Sequence, residues 1–74
     1  MTIDNAVPLK VMEAWDRAVA NPTLPAWRSV HIMAGSLGVT YRIANDDEIM
    51  AAVMEGISIE ARARMIALQP RLED

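Results

Sequence analysis

Ala34-Gly35-Ser36-Leu37-Gly38-Val39-Thr40-Tyr41-Arg42-Ile43 leads into Asn45-Asp46-Asp47-Glu48, and the folding of these residues decides the architecture of the chain. Glycine costs a helix interior about 1 kcal/mol relative to alanine and favours the position just past a helix end. Gly35 and Gly38 therefore predict a helix that stops near Ala34. Residues 39–43 alternate like a strand, but a single five-residue run has nothing else in the chain to pair with. They read as an extended connector or the first turn of the next helix, with edge pairing in a dimer as an outlying option. Asn45-Asp46-Asp47-Glu48 places asparagine at an N-cap, two aspartates in the first turn and glutamate three residues on, a capping-box pattern that starts a third helix.

Working outward, the first helix opens after Asn5, holds Pro8 in its first turn and runs to about Ala20, where Asn21-Pro22 stops it. Leu9, Met12, Trp15 and Val19 recur at helical spacing, opposite Lys10, Glu13, Asp16 and Arg17, and Glu13 and Arg17 form an i,i+4 pair. Thr23 or Leu24 caps a second helix with Pro25 at its start. Trp27, Val30, Ile32, Met33 and Leu37 crowd nearly every face of that helix and make it central. The third helix carries Ile49, Met50, Val53 and Met54 and ends at Gly56. Ser58 caps a fourth, which reaches Leu68 or Gln69 before Pro70. Its stripe is Ile59, Ala63 and Ile66 with Arg62, and Glu60 and Arg64 are a second i,i+4 pair. Residues 71–74 are expected to fray. The expectation is an all-α fold, a compact bundle of about four short helices in a single domain over residues 1–74.

At this size about 62% of the unfolded chain's surface is buried on folding. Apolar burial at about 25 cal/mol/Å² then gains on the order of 110 kcal/mol, and ordering at about 1.5 kcal/mol per residue costs as much. Net stability has to come from details or from a second copy. Seven basic against ten acidic residues give a net charge of -3, the wrong sign for a protein that neutralises phosphates, so nucleic acid is a disfavoured partner. The absence of cysteine removes disulfides, thiolate zinc sites and a cysteine nucleophile. There is no apolar run of about 18 residues and no basic leader at Met1-Thr2-Ile3-Asp4-Asn5, which makes the expected location cytoplasmic, away from membranes. Six arginines against one lysine fit a GC-rich bacterial or phage genome.

Candidate chemistry is sparse. His31 is the one histidine, and the helical neighbours at three and four residues are Trp27, Arg28, Ala34 and Gly35, none of them a carboxylate or second ligand. Ser29, Ser36 and Ser58 lack a nucleophile-elbow context. Asp46-Asp47-Glu48 lacks the spacing of a calcium loop and reads as a cap. No enzyme activity, cofactor or metal is expected. Ala34-Gly35-Ser36-Leu37-Gly38-Val39-Thr40 resembles the core of a helix-turn-helix, with alanine, three residues, glycine and a β-branched pair. The resemblance covers about twenty residues from Val30 to Met50. It implies a helix-turn-helix-like middle segment and a reading helix that offers Thr40, Tyr41 and Arg42 to DNA. The chain departs from the pattern at Asp46, Asp47 and Glu48, which would lie beside phosphates.

Six methionines and two tryptophans among 74 residues are more large apolar material than one short monomer readily buries. Trp15, Trp27, Met50 and Met54 are therefore the expected apolar partner surface, with Asp46, Asp47 and Glu48 as an acidic face for a basic partner. The function expected is that of a non-enzymatic regulator, inhibitor or accessory factor that docks on another protein, itself a homodimer. A small helix-turn-helix DNA-binding regulator is the alternative.

Overall fold

The computed structural model describes residues 7–69. Among them are three helices and no strand: α1 Leu9–Ala20, α2 Leu24–Ile43 and α3 Glu48–Leu68. The described residues are all-helical as expected, but with three helices rather than four. α1 begins at Leu9 rather than just after Asn5, Val7 and Pro8 being non-helical, while the fraying of residues 71–74 falls outside the described residues. Among the described residues no helix is long and apolar enough to cross a membrane.

The punctuation at Asn21-Pro22 and Pro25 is where the sequence puts it, whereas Pro8 stands just before α1 as its N-cap rather than within its first turn. The Pro8 carbonyl accepts from the Val11 and Met12 N–H groups at 3.0 and 3.2 Å, and Asn21 closes α1 by donating its N–H to the Arg17 carbonyl. Thr23 caps α2, its Oγ1 accepting from the Ala26 N–H at 3.2 Å, with Pro25 in the first turn where a missing N–H costs nothing.

The glycine-based punctuation fails at all three glycines. α2 runs through Gly35 and Gly38, so residues 39–43 are helical, and α3 runs through Gly56, so Ser58 lies inside a helix and caps nothing. No described glycine has a positive φ. Gly38 instead sits where α2 crosses α3. A Cβ there would lie 3.3 Å from Glu55 Cγ and 3.5 Å from both the Ala51 carbonyl oxygen and Met54 Cβ. Close approach of two long helices outweighs a helix penalty of about 1 kcal/mol. The helix-turn-helix-like segment is accordingly not formed. Its turn is continuous helix, Thr40, Tyr41 and Arg42 belong to the end of α2, and a break at residues 44–47 divides the supposed reading helix.

That break is built without glycine. The Thr40 carbonyl accepts from the Ala44 and Asn45 N–H groups, the Tyr41 carbonyl from the Asp47 N–H at 2.8 Å, and Asp46 takes φ 53°. Aspartate tolerates this left-handed conformation better than most residues. The cap of α3 is Asp47, whose Oδ1 accepts from the Met50 N–H at 3.0 Å, two residues later than the expected Asn45. Glu48 then falls at the first helical position, so no capping box forms.

α2 packs against both α1 and α3 and is the central element. The interior consists mostly of small side chains, Ala14, Ala18, Ala34, Ala51 and Ala61, which draw the helices together around Val11, Val30, Trp27 and Met54. Trp15 stands edge-on to Trp27, with ring centroids 5.1 Å apart and planes at 84°. The Arg64 guanidinium lies over both rings, at 5.4 and 4.8 Å. This stack joins all three helices, edge-to-face aromatic contact and cation–π attraction adding to the buried area.

Candidate interaction surface

The expected apolar partner residues separate into two pairs. Trp27 is 1% exposed and Met54 is fully buried, so neither offers surface. The small residues around them leave the space that both fill. Trp15 and Met50 are half-buried. Trp15 borders an apolar groove of about 220 Å³ between α1 and α3, lined by Val7, Val11, Met12, Asp16 and Ile57 besides itself. Met50 sits beside the Asp47 cap.

The expected acidic face is largely compensated. Arg42 donates from Nη1 to Glu48 and from Nη2 to Glu55, both at 2.8 Å, tying the end of α2 to the start of α3. The Glu55 carboxylate, through its hydrogen bond first, then Glu48, holds the Arg42 pKa above its ordinary value. Asp47 is engaged as the cap, and Asp46 alone of the three is exposed and uncommitted among the described residues. Arg42, the side chain that a DNA reader would send to phosphate, already faces two carboxylates. The expected Glu60–Arg64 pair forms at 3.0 Å, whereas Glu13 and Arg17 make no ion pair.

His31 has a partner that helical spacing could not reveal, 27 residues away on α3. Its Nδ1 lies 2.8 Å from Ser58 Oγ and 3.0 Å from the Ser58 carbonyl oxygen, and Ser58 Oγ donates to the His31 carbonyl at 3.1 Å. An Nδ1–H tautomer satisfies every contact at once. The serine proton is then held by a carbonyl and the imidazole nitrogen facing it is already protonated. In that tautomer the pair clamps two helices together. Among the described residues no three His, Asp or Glu side chains converge as a metal site would require.

Periodicity alone gives no reason to single out the outer face of α3. Ile49, Ala52, Gly56, Ile59, Ala63 and Ile66 recur at alternating steps of three and four, and all are exposed, Ile49 at 78% and Ile59 at 69%. The helix is also apolar on the side carrying Ala51, Met54, Ser58 and Ala61, which faces the core. The sequence stripe of Ile59, Ala63 and Ile66 is thus real but points outward. On α2, Ile32, Val39 and Ile43 are exposed as well.

Comparison with family models, with curated proteins and with solved structures finds no match to this chain.

Proposed function

We propose that this chain is a non-enzymatic cytoplasmic interaction protein, a bacterial or phage-encoded regulator, inhibitor or accessory factor that acts by docking on another protein. The observation that carries the reading is the groove between α1 and α3, an apolar depression of about 220 Å³ with a tryptophan in its wall and one carboxylate, Asp16, on its rim. Tryptophan and methionine beside an open apolar pocket are the usual anchors of a protein interface. The complementary partner presents apolar side chains with a basic group placed to meet Asp16. The Ser58 hydroxyl, committed to the His31 carbonyl, supports a structural rather than a catalytic role for the chain's one serine–histidine contact.

A photo-reactive residue at Met12, which is 37% exposed at the groove, tests this in the host cytoplasm. The expected outcome is a discrete adduct heavier than two copies of the chain. Met12→Asp should weaken capture of the same partner at least ~10-fold, with helicity by circular dichroism unchanged. No adduct, or undiminished capture by Met12→Asp, refutes the reading.

A further inference from the structure

We infer that two copies of this chain associate through the outer face of α3, antiparallel about a two-fold axis near the middle of that helix. The proposal is independent of the groove at Trp15, because it uses the other side of α3. The seam Ile49, Ala52, Gly56, Ile59, Ala63 and Ile66 keeps the alternation of three and four residues by which paired helices interlock side chains. It extends along nearly all of α3, whose 21 residues span about 31 Å at about 1.5 Å per residue.

Orientation follows from size and charge. Set antiparallel and fully overlapped, the seam is complementary to itself. Ile49 meets Ile66 of the other copy, Ala52 meets Ala63, and Gly56 leaves the hollow into which Ile59 fits. The space is available, since a Cβ on Gly56 would touch nothing within 4 Å. The same overlap brings Glu55 beside Arg62 of the other copy, twice by symmetry. Arg62 makes no ion pair among the described residues, and Glu55, although paired with Arg42 through Oε2, keeps a half-exposed carboxylate that a second guanidinium can share. A parallel in-register pair would set Gly56 against Gly56, leaving a void, and Glu55 against Glu60, two like charges. Both small–large matching and charge matching therefore select the antiparallel arrangement, with a second copy as the occupant.

Light scattering over a dilution series on the intact chain, combined with cysteine pairing, tests the proposal. The natural chain has no cysteine, so introduced thiols report alone. Twice the 8.2 kDa chain mass is expected at high concentration. Ile59→Glu should raise the dissociation constant at least ~100-fold by placing a charge in the centre of the seam. Because Ile59 is 69% exposed in the single chain, helicity should not change. Ala52→Cys combined with Ala63→Cys should oxidise to a covalent dimer, while Ala52→Cys alone should not; two Cα atoms must come within about 7 Å to be bridged. A monomer at hundreds of micromolar, a dimer untouched by Ile59→Glu, or ready self-linkage of Ala52→Cys overturns the proposal. Met12→Asp should leave the mass as it is, so failure here and failure of the groove reading are separate results.

Discussion

At Gly38 an added Cβ would lie 3.3 Å from Glu55 Cγ and 3.5 Å from the Ala51 carbonyl oxygen, whereas at Gly56 it would meet nothing within 4 Å. Substitutions at the two sites should therefore move stability in opposite directions. Gly56→Ala removes backbone freedom from the unfolded chain without creating a clash and should stabilise by about 0.5 to 1 kcal/mol. Gly38→Leu pushes carbon into the Ala51 backbone and should cost about 2 kcal/mol even after the helix-propensity gain. Urea unfolding on an Ile59→Glu background, where self-association does not enter, measures both. A loss of stability on Gly56→Ala would mean that the outer face of α3 is crowded. A glycine's effect on a single helix can be read from sequence, but not the helix that will cross it, which is why Gly35, Gly38 and Gly56 resembled stops.

Among the elements, α1 and the start of α2 were legible because Asn21-Pro22 and Thr23 with Pro25 act through local chemistry. α3 was legible only in part. Its two apolar sides blur the single stripe by which an amphipathic helix is recognised, and the Ser58–His31 clamp joins residues too distant for any spacing rule. The clamp is an element-scale device that fixes the register of α2 on α3. Ser58→Ala should cost about 1 kcal/mol, the usual net value of such a bond. Ser58→Leu should cost several times more, because Ser58 is buried between α2 and α3 and a larger side chain there overpacks the contact with His31. Thermal unfolding of the two variants checks the order, and equal losses would show that the site tolerates the larger side chain and that the lost hydrogen bond alone sets the cost. The expected partner surface divided for a similar reason. Trp27 and Met54 are recognisable as large and apolar, but the alanine-rich interior that accommodates them becomes visible only when three helices are brought together.

For the molecule as a whole, exposed isoleucines on α2 and α3 mean that folding alone does not cover the apolar surface. If the second copy covers the α3 seam, stability is linked to concentration. The unfolding midpoint should rise by on the order of 5 °C per hundredfold increase in concentration, and the Ile59→Glu variant should show no such slope. Differential scanning calorimetry at two concentrations decides this. A concentration-independent midpoint for the natural chain would leave the isoleucines without a role in assembly. On the proposed reading the two surfaces are separate, one side of α3 joining copies and the α1 groove left to receive a different protein.

The aromatic stack also has a consequence in time. α1 has 12 residues against 20 and 21 in its neighbours, and it is held to them by buried Val11, Ala14 and Ala18 and by the stack of Trp15 on Trp27 and Arg64, a smaller contact than that between α2 and α3. The shortest helix with the narrowest attachment is the first to detach in local opening, so its amide hydrogens exchange with solvent ahead of those in the α2–α3 hairpin. Each such excursion dismantles one wall of the groove, and a partner seated there would hold α1 in place and slow its exchange.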